Sequence, residues 1–216
     1  MSQAGLVVVG VGGFTSNVGK TTLMCELLKA LPGWEAIKTT RGHYRSCGKD
    51  PHACCVSHLL GDEPTVFSGR DKTYQQGKDT GRYWDAGASN VHWVIATEDQ
   101  VGLGIKTALE RVSSPGVVVE GNSFSAHVHV DLMIMVAGLE SGIIKRSARR
   151  ALGMCSAVFV PEPLHMTDED ARPRTLQRDS RMRQLRRNFP GLQQMDFPKL
   201  VNEIQLLSST PTHLPS

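Results

Sequence analysis

Gly13-Phe14-Thr15-Ser16-Asn17-Val18-Gly19-Lys20-Thr21-Thr22 is the stretch that decides the fold. An apolar run, Leu6–Val11, precedes it and has the composition of a buried strand. After it, Leu23, Met24, Leu27, Leu28 and Leu31 recur at helical spacing until Pro32-Gly33 stops the pattern. A glycine-rich turn between a strand and a helix, closing on Gly-Lys-Thr-Thr, is the setting a phosphate-binding loop requires. Backbone N–H groups from Gly13, Thr15, Ser16, Asn17, Val18 and Gly19 then face the phosphates at a helix N-terminus. Lys20 brings positive charge to the β/γ oxygens, and the Thr21 hydroxyl is a ligand for Mg²⁺.

Outward from the loop, short Val/Ile-rich runs alternate with helical patterns. Strands are expected at Glu35–Lys38, Val91–Ala96, Gly116–Glu120, Leu132–Val136 and Ala157–Val160, and helices at Thr21–Leu31, Gln100–Val112 and Ile144–Leu152. Continuous apolar strands separated by helices predict a doubly wound, mainly parallel sheet in a three-layer α/β/α arrangement. The organisation read from this is a P-loop domain over residues 1–160 and a basic helical extension over 161–216 packed on it. Residues 39–77 have little periodicity and read as a long loop or insertion. In the extension, helices are expected around Leu176–Asn188 and Pro198–Leu207.

Bulk composition narrows the classes further. The chain has 216 residues and a formal charge of +3, with 6% aromatics, which argues against a base-stacking or sugar-binding platform. The charge is uneven: residues 145–187 carry 11 Lys/Arg against 5 Asp/Glu, so the remainder is net negative. No apolar run reaches the roughly 18 residues of a membrane span. No signal-peptide pattern opens the chain, so a cytoplasmic location is the default expectation. Five cysteines, three of them within nine residues, do not make a disulfide scaffold.

Several segments carry a family resemblance. The five residues between Gly13 and Gly19 resemble the loop of dethiobiotin synthetase and cobyrinic-acid synthetase-like enzymes. Ala36-Ile37-Lys38-Thr39-Thr40-Arg41-Gly42-His43 ends a strand with a lysine, as those synthetases and the molybdopterin-guanine dinucleotide biosynthesis protein B family do. Gly77-Lys78-Asp79-Thr80-Gly81-Arg82-Tyr83-Trp84-Asp85-Ala86-Gly87-Ala88 resembles the Gly-Lys-Asp-Ser-x-Arg…Ala-Gly-Ala segment of the latter family. Val117-Val118-Val119-Glu120-Gly121 closes a strand with an acid, and both families place a Val-Glu-Gly there. A carboxylate next to the loop can hold Mg²⁺ directly or through water. The resemblance spans roughly residues 5–160 and implies a P-loop NTPase that binds GTP or ATP with Mg²⁺. It implies phosphate and Mg²⁺ roles for Gly19, Lys20, Thr21 and Thr22, metal-side acids at Glu120 and Asp79, and a second cation at Lys38. Lys20, Lys38 and Glu120 are the candidate catalytic residues. Gly61-Asp62-Glu63-Pro64 is similar to a run in lipid A 4′-kinases, although a turn explains it equally well.

Two further clusters remain. His43, Cys47, Cys54, Cys55 and His58 gather thiols and imidazoles within sixteen residues. Cys47, Cys54, Cys55 and His58 are candidate ligands for Zn²⁺ or an iron–sulfur cluster, with ordinary buried cysteines as the alternative. Asn122, Ser123, His127 and His129 follow the Glu120 strand, where loops line the ligand crevice of a parallel sheet. The basic tail (Arg172 to Arg187) fits either a solvated helix face or a clamp for phosphates or an acidic partner. The leading expectation is an accessory NTPase of molybdopterin guanine dinucleotide biosynthesis. Its rivals are an ATP-dependent small-molecule kinase or carboxylate-activating synthetase, and a nucleotide-controlled metallochaperone. The expected partners are a nucleotide, an anionic small molecule or partner enzyme, and a second copy of the chain. Neither a membrane nor a nucleic acid is expected.

Overall fold

A computed structural model describes residues 5–42, 56–138, 144, 146–161, 182–189 and 191–209. Its centre is an eight-stranded sheet in the order β3-β4-β2-β5-β1-β6-β7-β8. The strands are β1 (Val7–Gly13), β2 (Glu35–Arg41), β3 (Thr65–Ser68), β4 (Val91–Ala96), β5 (Gly116–Glu120), β6 (Leu132–Val136), β7 (Ala157–Phe159) and β8 (Gln193–Gln194). Every pairing is parallel except β3 with β4, which is antiparallel at one edge. The helices are α1 (Lys20–Ala30), α2 (Arg70–Thr73), α3 (Asp79–Asp85), α4 (Val101–Glu110), α5 (Arg146–Leu152), α6 (182–188) and α7 (Phe197–Ser209). This is the doubly wound P-loop fold that the sequence predicts, and among the described residues no helix is long and apolar enough to cross a membrane.

The unbroken valine runs follow from burial on both faces. Val7, Val9 and Val11 of β1, with Leu132, Ile134 and Val136 of β6, pack under α1, α3 and α7. The intervening Val8, Met133 and Met135 pack under α4, α5 and α6. Side chains alternate across a strand, so consecutive apolar residues feed two cores. The extension contributes to both: Leu200 and Ile204 of α7 enter the first, and Met182 and Leu185 of α6 the second.

Residues 39–77 depart from the long-loop expectation. β2 continues to Arg41, and Thr65-Val66-Phe67-Ser68 forms the edge strand β3, in register with Ile95-Val94-Trp93-His92. A four-residue strand is too short to show a period, and its positions are all half-buried. Likewise β8 uses two polar glutamines held by pairing with β7.

At the N-terminal edge of the strands, Glu35 and His92 are both buried, at 1% and 0% exposure. His92 Nε2 lies 2.6 Å from Glu35 Oε2, and its Nδ1 lies 2.8 Å from Ser68 Oγ. Glu35 Oε1 accepts from the Ser113 N–H and hydroxyl and from the Ser114 N–H at 2.8–3.0 Å. Burial acts to raise the Glu35 pKa, but these donors outweigh it and bring it down to about 2. The cluster ties β2, β3, β4 and the turn before β5 together.

Candidate functional site

The phosphate loop is anchored at its first glycine. The Gly13 N–H donates to Asn122 Oδ1, and the Gly13 carbonyl accepts from Asn122 Nδ2, both at 2.9 Å. The next residue, Phe14, is buried, and its N–H donates to the Val136 carbonyl at 3.2 Å. Asn17 (φ 59°) and Gly19 (φ 94°) are left-handed. Left-handed positions among successive loop residues turn backbone N–H groups into an anion-binding concavity. α1 begins at Lys20, so the loop also meets a helix N-terminus. Pro161 lies against Gly19 at the margin of the loop.

Opposite the loop stands a charged cluster. Register pairing sets Lys38 of β2 beside Glu120 of β5, and Val11 of β1 on the other side of Glu120. Lys38 Nζ lies 2.7 Å from Glu120 Oε1 and 2.7 Å from Asp79 Oδ2 at the start of α3. Glu120 Oε2 accepts from Thr21 Oγ1 at 3.3 Å and from the Tyr83 hydroxyl. The Glu120 side chain is only 4% exposed, yet two of its partners, Thr21 and Lys38, line the cleft beside the loop.

Loop and cluster enclose a cleft of about 430 Å³, lined by Ser16, Asn17, Gly19, Lys20, Thr21, Thr22, Lys38, Asp79, Arg82 and Glu120. Burial disfavours the Lys38 ammonium, but Glu120 and Asp79 more than compensate and hold its pKa above the usual lysine value. Burial likewise acts against the Asp79 carboxylate, and the hydrogen bond and charge of Lys38 pull its pKa down on balance. Tyr83 is pushed well up by burial and by the neighbouring Glu120, so it stays a proton donor. The oxygen donors Thr21, Glu120 and Asp79 beside a phosphate loop suit Mg²⁺, which binds one or two carboxylates plus substrate phosphates.

Arg82, Tyr83 and Thr39 were not singled out in the sequence as site residues. Arg82 lines the cleft, Tyr83 donates to Glu120, and Thr39 Oγ1 donates to the Glu120 carbonyl at 2.7 Å. Arg82 and Tyr83 lie inside the Gly77–Ala88 segment, which was the signal available. Gly81 makes that segment work. A Cβ there would collide with the Gln75 carbonyl, so only glycine lets α3 start close enough to present Asp79 and Arg82.

The other sequence candidates divide. Asn122, Ser123 and His127 line cavities beside the loop, whereas His129 pairs with Asp131 at 3.3 Å. Asp131 in turn accepts the Val8 N–H at 2.7 Å, so that segment anchors the chain entering β6. Asp62 and Glu63 are exposed in a turn pinned to α4 by Gln100 Nε2 donating to the Gly61 carbonyl at 2.8 Å, and they line none of these cavities. Of the proposed zinc or iron–sulfur ligands, His58 sits in a 3-10 turn, Ser57–Leu59, while Cys47, Cys54 and Cys55 lie outside the described residues. Among the described residues no group of three or more His, Cys, Asp or Glu is placed to hold a metal. Arg183, Arg186 and Arg187 are exposed on α6, whose Met182 and Leu185 face the core; the other tail arginines lie outside the described residues.

No known protein-family profile and no curated protein matches the chain. Among solved structures, it is similar to an "apo" form of LpxK from Aquifex aeolicus in complex with ATP, at 19% identity and a TM-score of 0.44 over 75% of this chain. It is also similar to a Zn(II)-bound triple mutant of YjiA GTPase, at 14% identity and a TM-score of 0.43 over 90% of this chain. The match spans 51% and 60% of the lengths of those two proteins.

Proposed function

We propose that this protein binds a nucleoside triphosphate with Mg²⁺ at the Gly13–Thr22 loop and promotes chemistry at its γ-phosphate. The observation that carries this reading is Glu120: a nearly inaccessible carboxylate directed at the Thr21 hydroxyl and Lys38 across the cleft from the phosphate loop. Burying a carboxylate is costly unless it is paired, so its place demands cations. Lys38 supplies one here. Thr21 and Glu120 would hold Mg²⁺, which would supply charge neutralisation for the bound phosphates. Lys20 and the loop amides bind and orient the phosphates, Asn122 keeps Gly13 in place, and Tyr83 keeps the Glu120 side chain oriented. Lys38, protonated through neutral pH, adds positive charge beside the γ-phosphate position.

Within this reading, an accessory NTPase role in molybdopterin guanine dinucleotide biosynthesis is supported by the Gly77–Ala88 segment, whose Asp79 and Arg82 border the cleft. A small-molecule phosphotransferase is favoured by a different observation, the two cavities beside Lys20 that share lining residues. Calorimetric titration with Mg·ATP and Mg·GTP, with and without Lys20→Ala, tests the common core. A loss of affinity of about 100-fold is expected, since a charge-assisted phosphate contact is removed. Unchanged affinity for both nucleotides would sink the reading. Nucleoside diphosphate formation stimulated by a small metabolite, with the γ-phosphate recovered on that metabolite and no partner protein present, separates the phosphotransferase from the accessory protein.

A further inference from the structure

Beside Lys20, at the C-terminal edge of the sheet, lie two cavities that share lining residues. The inner one, of about 180 Å³, is lined by Thr15, Lys20, Thr39, Arg41, Asn122 and Ser147, among others. The outer one, of about 830 Å³, shares Arg41, Asn122, Ser123 and Ser147 with it and adds His127, Arg146, Arg150, Glu98 and Asp99. Loops beyond the carboxyl ends of parallel strands are where such folds take ligands. Lys20 is common to the inner cavity and the phosphate-loop cleft, so a ligand there would lie next to the nucleotide phosphates.

The charges in the outer cavity say what kind of ligand. Arg41 at the end of β2 and Arg150 on α5 come from different elements and converge on one carboxylate: Arg41 Nη1 lies 3.1 Å from Glu98 Oε2, and Arg150 Nη1 lies 3.6 Å from Glu98 Oε1. Arg146 is a third guanidinium in the lining. Both ion pairs are well exposed, and exposed pairs of this kind contribute little to stability. Glu98 can therefore leave at small cost. We infer that Arg41, Arg150 and Arg146 form a binding site for a phosphate-bearing small molecule beside the nucleotide, with the Glu98 carboxylate holding the place of that phosphate in the free protein. Guanidinium forks match phosphate oxygens bidentately, and a dianion outcompetes a single carboxylate there. The role as co-substrate site rests on the nucleotide reading above; the anion site itself rests on the arginines.

The test titrates inorganic phosphate, by calorimetry, into the full chain carrying Lys20→Ala, which disables the phosphate loop. Saturable binding is expected. It should weaken by about tenfold or more when Arg41→Ala and Arg150→Ala are added, and tighten about threefold when Glu98→Gln is added instead, because a competing anion is removed. These three side chains are exposed, so the variants leave both cores intact. Phosphate binding that is absent in Lys20→Ala, indifferent to the arginines or not tightened by Glu98→Gln overturns the inference. Mg·ATP and Mg·GTP affinities of the otherwise unaltered chain, measured in parallel, separate the two ideas. Arginine-dependent phosphate binding without nucleotide binding overturns the nucleotide reading and keeps the anion site. Nucleotide binding with arginine-independent phosphate binding does the reverse.

Discussion

Glu35 and Glu120 are the same residue type on neighbouring strands, both buried, and they have opposite uses. Glu35 opens β2 at the N-terminal edge of the sheet; Glu120 closes β5 at the C-terminal edge. Glu35 is saturated by His92, Ser113 and Ser114, all of them parts of the scaffold. Glu120 is held by Lys38, Thr21 and Tyr83, and two of these line the phosphate-loop cleft. Burial therefore does not separate structure from function in this sheet. What separates them is whether the partners face the protein or a space that a ligand can fill.

If that is right, Glu35→Ala should damage folding and spare binding. It leaves His92 and three donors unpaired, and breaking a buried pair costs about 3–5 kcal/mol. For a chain of this size, the midpoint of thermal unfolding should fall by about 10 °C, with nucleotide affinity within twofold of wild type at a temperature where the variant is folded. Acid should probe the same cluster. A carboxylate whose pKa is depressed to about 2 gives stability that is fully present above the ordinary value of 4.5 and is lost as pH falls towards 2. The contribution is about 3 kcal/mol, and denaturant unfolding between pH 6 and 2 should show Glu35→Gln with a shallower acid slope than wild type. Glu120→Gln should give the mirror image, with Mg²⁺-dependent nucleotide affinity falling about 100-fold, or about 2.7 kcal/mol, for a smaller loss of stability. Tyr83→Phe is the mildest. It removes one donor to Glu120, and a loss of about 1 kcal/mol in stability is expected from chemical denaturation.

The comparison also explains what the sequence made legible. Strands β1, β5 and β6 could be read because two-sided burial leaves them as unbroken apolar runs. Lys20, Thr21 and Glu120 could be read because the phosphate loop fixes their spacing, or their place at a strand end. Glu35 and His92 could not. They are 57 residues apart and meet only through the pairing of β2 with β4, and each looks like an isolated polar residue in its own segment. Edge strand β3 was hidden inside a region rich in charge and glycine, because antiparallel pairing with β4, not its own composition, makes it a strand. Arg41 was visible only inside a resemblance; its meeting with Arg150 through Glu98 brings together residues of β2 and α5 that are far apart in the chain.

The most direct test of the central claim replaces Mg²⁺ with Mn²⁺ and follows the free ion by electron paramagnetic resonance in the presence of a non-hydrolysable triphosphate. Tight, nucleotide-dependent Mn²⁺ binding is expected in wild type and in Glu35→Gln, with its loss in Glu120→Gln. Mn²⁺ binding that survives Glu120→Gln undiminished would contradict that claim.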